Sequence, residues 1–98
     1  ISGQVGALDD AGKLIATVEG QTRQLLKKMK IALEAAGASL SDVTKTTVFL
    51  VNVNDFAVMN QVYKEFFPKD PPARSTVIVA GLAKSEWLVE IEAIAYKP

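Results

Sequence analysis

Two stretches of the chain carry apolar residues at the three- and four-residue spacing of an amphipathic helix. The first covers residues 17–36, with Thr17 in the position of an N-cap and Gly37 placed to end the helix. The second begins at Asn54 or Asp55 and stops before a proline. We interpret both apolar stripes as core packing rather than as the wall of a cofactor pocket. They comprise Val18, Thr22, Leu25, Leu26, Met29, Leu33 and Ala36 in the first helix and Phe56, Met59, Val62, Tyr63, Phe66 and Phe67 in the second.

The β-strands are predicted from β-branched and alternating stretches. Residues 43–53 are rich in valine and threonine, which favours a strand. Pro71 and Pro72 disfavour helical geometry in the residues next to them, and the extended run 74–79 follows. Residues 87–96 alternate between an apolar row and a mixed row. The opening letters ISGQVG are typical of the end of a strand, so we expect its beginning to precede the first residue.

The order of these elements is strand, helix, strand, helix, strand, strand, which predicts an α+β fold. Since there are two helices, both are expected to cover one face of a mostly antiparallel sheet. The 98 residues predict a single domain over 1–98 that lacks its N-terminal strand. The opposite sheet face keeps apolar residues such as Leu88, Ile78 and Ile94, and this predicts an oligomer.

Two further patterns resemble ligand-binding features, and we interpret neither of them as a binding site. The segment GALDDAGKL resembles a phosphate-binding loop, but its Gly-Lys pair stands one residue too far from Gly6, and Leu14 replaces the required hydroxyl residue. We therefore interpret it as a plain turn. The lysines of the first helix are interpreted as a solvated face rather than as a ligand patch.

The composition excludes several kinds of chemistry. Lysine and arginine total 11, as do aspartate and glutamate, so the net charge is zero and nonspecific nucleic-acid binding is not expected. The chain has no cysteine and no histidine, which excludes disulfides, thiolate nucleophiles, Ser-His-Asp triads and zinc sites built from these residues. We predict no metal and no cofactor. No apolar run reaches the roughly 20 residues of a membrane span and no signal-peptide pattern opens the chain, so a cytoplasmic location is predicted.

Arg74 and Glu90 are the two residues that the alternation of the strands indicates as candidates for binding or catalysis. In an alternating strand Arg74 shares a face with Thr76 and Ile78, opposite a more uniformly apolar row. Glu90 likewise lies opposite the apolar row of the last strand. We therefore expect both side chains on the sheet face that the helices leave uncovered, where they can meet. Two interpretations remain open: a structural ion pair, or a site in which Arg74 binds a substrate carboxylate and Glu90 handles a water or a proton.

Four stretches resemble the RidA/YjgF family of reactive intermediate deaminases in matching order and spacing over essentially the whole chain. They are ISGQVG, AAGASLSDVTKTTVFLVNVNDFAVMNQVYKEFF, PARSTVIVAGL and VEIEAIA, and the pairing of PARS with the EIEAIA strand is the specific part. The resemblance implies a chorismate-mutase-like α+β fold and a homotrimer with its sites between subunits. It also implies hydrolysis of 2-imino or enamine acids, such as 2-iminobutanoate or 2-iminopropanoate, to 2-keto acids and ammonia. The implied ligand is a small 2-imino or 2-keto acid, with no cofactor.

Carried over by motif, the resemblance implies roles for five residues. Arg74 would bind the substrate carboxylate, and Glu90 would be the catalytic glutamate that orients the attacking water. Ser2 and Gly3 fall on the substrate-contacting glycine strand. Thr76 stands where many members have a cysteine, and the backbone near it would help to hold the imine nitrogen. The family's tyrosine, which lies on a strand before SGQ, has no counterpart in this sequence.

Two other functions stay open at this point. The same arginine cleft is compatible with a regulatory or chaperone-like trimer that binds small carboxylates without turnover. An endoribonuclease activity, attributed to some relatives, is disfavoured by the zero net charge and by the missing histidines. Imine hydrolysis measured beside a dehydratase separates the deaminase from the binding protein.

Overall fold

Both helices begin and end close to the predicted residues. The computed structural model describes residues 2–97, so Ile1 and Pro98 lie outside the described part of the predicted domain. The Thr17 hydroxyl accepts a hydrogen bond from the Gly20 amide at 3.1 Å and starts the first helix. The elements are α1 (Val18–Ala35), β1 (Val43–Leu50), α2 (Phe56–Phe66), β2 (Ala73–Ile78) and β3 (Val89–Ala95).

Local conformation decides where two of the elements end. Gly37 follows α1 with a φ of 83°, a left-handed conformation that favours glycine. Asn52 Oδ1 accepts a hydrogen bond from the Asn54 amide at 2.9 Å and opens a short 3-10 helix, Val53–Asp55, that leads into α2. β1 therefore ends at Leu50, and the prediction of a longer strand is wrong.

The sheet is mixed, with strand order β2-β1-β3. β1 runs parallel to β2 and antiparallel to β3. The opening segment continues the sheet beyond β3, because the Gln4 amide donates to the Ile91 carbonyl at 2.7 Å and the Ile91 amide donates to the Gln4 carbonyl at 3.0 Å. The prediction of an α+β fold with two helices is confirmed.

Both helices pack on the same face of the sheet. The buried residues of this face are Thr46, Val48 and Leu50 in β1 and Val89, Ile91 and Ala93 in β3. The apolar stripes of the helices complete the core, with Leu25, Leu26 and Met59 fully buried. The predicted packing of the apolar row of the last strand beneath the helices is confirmed, although Trp87 precedes β3 and is half-buried.

The prediction that Arg74, Thr76 and Ile78 face the uncovered side of the sheet is wrong. Ile78 lies beside Leu50, which is buried beneath the helices. The register places Arg74 beside Thr46 and Thr76 beside Val48, and both of these β1 residues are buried beneath the helices. Side chains that sit side by side in neighbouring strands project from the same face. β2 is an edge strand next to α2, and α2 supplies polar and aromatic partners for a guanidinium, so the arginine row faces the helices.

The uncovered face of the sheet combines apolar and charged residues. The register places Val77, Phe49 and Glu90 side by side across three strands, and Glu92 and Ile94 follow Glu90 along β3. Val77 is 41% exposed and Ile94 is 63% exposed. Glu90 thus lies on the uncovered face, as its place in the alternation predicts.

Candidate active site

Arg74 is held against α2 on the helix-covered face of the sheet. Its Nη1 donates a hydrogen bond to Oδ1 of Asn60 at 2.7 Å. Its Cζ lies 4.7 Å from the centre of the Tyr63 ring and 5.6 Å from the centre of the Phe56 ring, both within the range of a cation–π interaction. The guanidinium therefore packs against aromatic rings, while Asn60 occupies one of its five N–H groups.

The α2 residues around Arg74 follow from the helical repeat. Phe56, Asn60 and Tyr63 are spaced four and three residues apart, which places them in one row along the helix. The Tyr63 hydroxyl lies 2.7 Å from the Thr46 hydroxyl, and both side chains are buried. Burial raises the pKa of the Tyr63 phenol, whereas the hydrogen bond with Thr46 and the positive charge of Arg74 oppose this rise.

Arg74 lines a pocket of about 330 Å³. Lys64 of α2, Phe67 after it, and Pro71 and Pro72 before β2 form further walls. Among residues 2–97, no carboxylate lies within 4.0 Å of the Arg74 guanidinium. A planar guanidinium without an acidic partner suits a small carboxylate, which two parallel N–H groups can bind.

Glu90 lies on the opposite face, half-buried beside the opening segment. Gln4 pairs with Ile91, and this pairing brings Gly3 against the Glu90 carboxylate. A Cβ at Gly3 would overlap Oε2 of Glu90, so the carboxylate can occupy this position because Gly3 has no side chain. In the described part of the chain, Glu90 has no hydrogen-bond or ion-pair partner for its side chain.

Ser2 and Thr76, the other two predicted contacts, lie in different parts of the structure. Ser2 is exposed. Thr76 shares the face of Arg74, and its hydroxyl oxygen is buried with no hydrogen-bond partner among the described residues. The Val79 amide donates to the Leu50 carbonyl at 2.8 Å, so the backbone groups of Val79 point towards β1. Backbone groups of successive residues in a strand point to opposite sides, and Thr76 stands three residues before Val79. The N–H and C=O groups of Thr76 therefore point to the open edge of the sheet. The backbone of Thr76, rather than its hydroxyl, is therefore accessible to a ligand.

The structure brings the predicted site residues together in two groups rather than one. Gly3 lies against Glu90, and Thr76 follows Arg74 on the same face. β1 separates β2 from β3, and the two groups project from opposite faces of the sheet. The expectation that Arg74 and Glu90 meet within one chain is therefore wrong, and so is their interpretation as an ion pair within the chain.

Two residues that hold Arg74 are not found by the sequence analysis. Asn60 interrupts the apolar stripe of α2, and an amide at this position is the signal that points to a polar partner. Tyr63 is predicted as core and is buried, but its ring also packs against the guanidinium. The helical repeat predicts the position of both side chains, whereas their partner lies in another element.

Gln21 fixes the segment that leads to Glu90. It is fully buried in α1. Its Nε2 donates to the carbonyls of Ile15 at 2.8 Å and Glu86 at 2.9 Å, and its Oε1 accepts from the Leu88 amide at 2.9 Å. The helical repeat contains no signal for this role, because glutamine is usually exposed.

Within residues 2–97, no group of three or more His, Cys, Asp or Glu side chains is arranged to hold a metal ion. Neither α-helix of that range is long and apolar enough to cross a membrane.

These observations define a class of protein. Its members have an α+β fold with two helices on a mixed sheet, an arginine on the edge strand and a glutamate on the last strand. Sequence comparison gives the family, since the family model described as Endoribonuclease L-PSP matches residues 1–97. The chain belongs to this family, which includes the proteins named RidA and YjgF. The resemblance found in the sequence is confirmed.

Similar proteins occur among both curated sequences and solved structures. A RutC family protein of Pyrococcus horikoshii is 50% identical over 98 residues, which cover 99% of this chain and 77% of that protein. The human 2-iminobutanoate/2-iminopropanoate deaminase is 43% identical over 96 residues, which cover 97% of this chain and 69% of that protein. The crystal structure of RidA from a Psychrobacter species matches with a TM-score of 0.91 at 42% identity, over 99% of this chain and 78% of that one. The structure of Escherichia coli TdcF with bound serine matches with a TM-score of 0.90 at 43% identity, over 99% and 78% respectively.

Proposed function

We propose that this protein is a reactive intermediate deaminase, which hydrolyses 2-imino acids and their enamine forms to 2-keto acids and ammonia. The name of the human relative suggests 2-iminobutanoate and 2-iminopropanoate as substrates. The observation that carries the proposal is the Arg74 guanidinium, which is held by α2, lines a pocket and has no acidic partner among residues 2–97. The serine bound to E. coli TdcF supports a small ligand with a carboxylate.

Arg74 is the group proposed to bind the substrate carboxylate, through two parallel hydrogen bonds. Its side chain is already ordered by Asn60 and Tyr63, so it loses less rotamer freedom on binding than a free arginine does. The backbone of Thr76 is proposed to help hold the imine nitrogen at the edge of β2. These contacts orient the imine carbon toward the attacking water.

Glu90 is proposed to move the protons of the reaction. The carbon of a protonated imine is electrophilic, and water adds to it to form a tetrahedral carbinolamine. Glu90 accepts a proton from the attacking water and returns it to the amino nitrogen. The carbinolamine hydroxyl then gives its proton to the Glu90 carboxylate as the C–N bond breaks, which leaves the 2-keto acid. The released ammonia takes up this proton and departs as ammonium, so Glu90 is again a carboxylate. The steps need one water and no oxidant or reductant.

Two subunits are proposed to share each site, because one chain places Arg74 and Glu90 on opposite faces of its sheet. We place Arg74 of one subunit opposite Glu90 and the Ser2–Gly3 segment of its neighbour. The exposed Val77 and Ile94 make the uncovered face suitable for a protein interface. Three copies joined through this face give a homotrimer with one site in each cleft.

An imine hydrolysis assay tests the proposed activity. A pyridoxal-phosphate-dependent dehydratase generates the 2-imino acid in solution, and formation of the 2-keto acid is followed with and without the protein. We expect a rate that increases with the concentration of wild-type protein and a much smaller increase with Arg74→Ala. Binding of 2-oxobutanoate without any acceleration would contradict the deaminase and favour a binding protein. Cleavage of RNA without imine hydrolysis would favour the activity in the family's description.

Mixed assembly tests whether the site is shared between subunits. Arg74→Ala and Glu90→Gln chains are produced together with different affinity tags, and assemblies that carry both tags are purified. If each site takes Arg74 from one subunit and Glu90 from the next, a trimer that carries both tags has one complete site, so mixing restores about one third of the sites in the purified assemblies. If each site lies within one subunit, mixing restores no activity. Light scattering on the same samples measures whether the assembly contains three chains.

A further inference from the structure

Tyr63, Thr46 and Arg74 form a closed arrangement of three contacts. Arg74 and Thr46 are paired in the register of β2 and β1. The Thr46 and Tyr63 hydroxyls lie 2.7 Å apart, and Cζ of Arg74 lies 4.7 Å from the centre of the Tyr63 ring. Each residue is therefore fixed by the other two, through backbone pairing, a hydrogen bond and a cation–π contact.

Burial keeps the hydroxyl pair in place. Thr46 is 0% exposed and Tyr63 is 3% exposed, so neither side chain has ready access to water as an alternative partner. Breaking the pair leaves a buried polar group without a hydrogen bond, which is unfavourable. A ring held at its hydroxyl end keeps one orientation against the guanidinium. Asn60 adds a second restraint, because it accepts from Nη1 of Arg74 at 2.7 Å.

Core packing alone does not require the Tyr63 hydroxyl. The neighbouring Phe67, whose ring centre lies 4.8 Å from that of Tyr63, is buried in the same core without a hydroxyl. We propose that Tyr63 is a positioning residue, which acts through its hydrogen bond with Thr46 to set the plane in which Arg74 presents its N–H groups to a ligand carboxylate. The identity of that ligand, a 2-imino or 2-keto acid, rests on the proposed function.

Arginine side-chain NMR tests the positioning role independently of activity. The sequence contains two arginines, Arg23 and Arg74, so the Nε–Hε spectrum should show one resonance for each, and Arg74→Lys assigns them. We expect Tyr63→Phe and Thr46→Val to shift the Arg74 resonance and increase its mobility, while the Arg23 resonance stays in place. Thr46→Ser keeps the hydroxyl, and Tyr96→Phe removes the hydroxyl of an exposed tyrosine, so both controls should leave the Arg74 resonance unchanged.

Binding of 2-oxobutanoate to the assembled protein measures the consequence of the positioning. We expect the calorimetric Kd to rise about three- to tenfold in Tyr63→Phe and in Thr46→Val. The double variant should bind no more weakly than the weaker single variant, because both changes remove the same hydrogen bond.

An unchanged Arg74 resonance, together with a Kd within about twofold of the wild-type value in folded Tyr63→Phe, would overturn the proposal. If Tyr63→Phe does not fold, the comparison of Thr46→Val with Thr46→Ser decides in the same way. If the wild-type protein does not bind 2-oxobutanoate, the proposed function fails, whereas the NMR result still decides whether Tyr63 positions Arg74.

Discussion

Arg74 and Glu90 lie on opposite faces of one sheet, and their surroundings differ in how much of the site a single chain supplies. Around Arg74, the chain provides the Asn60 side-chain oxygen as a hydrogen-bond acceptor, the ring of Tyr63 and the walls of a pocket. Around Glu90, it provides the close approach of Gly3 but, within residues 2–97, no partner for the carboxylate. Arg74, the group proposed to bind the substrate, is thus ordered by its own chain. The surroundings of Glu90, the group proposed to move protons, depend on what covers the face of the sheet that the helices leave open.

The largest effect is expected at the ordered group. Arg74→Lys keeps the positive charge but loses the planar geometry, so it should lower kcat/KM for imine hydrolysis nearly as much as Arg74→Ala does, by about 100-fold or more. Both variants should fold and assemble, since Arg74 lies on an edge strand outside the apolar core. Hydrolysis rate and light scattering are measured on the same samples. Near-normal hydrolysis by Arg74→Ala would reduce the arginine to a structural partner of α2.

The second effect is expected at the carboxylate on the uncovered face. Glu90→Gln keeps the shape of the side chain but removes its basicity, so turnover should fall by roughly ten- to ten-thousandfold. Glu92→Gln is the matched control, because Glu92 is exposed two residues further along the same face, and its change should cost much less. Equal turnover of Glu90→Gln and the wild-type protein would exclude Glu90 from the chemistry.

A smaller loss is expected when Glu90 is moved rather than replaced. The Cβ of Gly3→Ala would overlap the Glu90 carboxylate, which must rotate away, and we expect about a tenfold loss of turnover with an unchanged fold. Gly81→Ala is the control, since a Cβ there meets no atom within 4 Å. Turnover and thermal unfolding are compared for the two variants. Full activity in Gly3→Ala would show that the contact with the opening segment does not position Glu90.

The smallest effect is expected in the pH dependence of stability, on the Arg74 side. Burial raises the pKa of Tyr63 above its ordinary value of 10.0, so the folded chain holds this proton more tightly than the unfolded chain does. The resulting stabilisation is fully present below about pH 10 and is lost as the pH rises through the raised pKa. Urea unfolding across this range should show a decline that is smaller in Tyr63→Phe than in Tyr96→Phe. Equal declines in the two variants would assign the effect to other groups.

The helices and the last strand are predictable from sequence because their signals are local. Thr17 and Gly37 mark the ends of α1 by capping and by a left-handed conformation. In β3 one row is uniformly apolar and buried, so the alternation correctly places Glu90 on the other face.

The orientation of β2 is not predictable from its own alternation. Its more apolar row includes Val77, yet that row faces the uncovered side of the sheet. The decisive contacts come from Asn60 and Tyr63 in α2, which give a long polar side chain a hydrogen bond and an aromatic surface beside the core. No pattern within β2 reports on residues of another element, so the separation of Arg74 from Glu90 emerges only in three dimensions.

The open edge of β2 exposes the unassembled chain to non-native strand addition. Unpaired N–H and C=O groups on an edge strand are a template for another strand, and the exposed Val77 and Ile78 favour such contacts. Pro71 and Pro72 have no N–H, so pairing cannot extend beyond the beginning of this six-residue strand. The two prolines and the short strand therefore protect the chain from aggregation, and covering the edge in an assembly would remove a folding hazard.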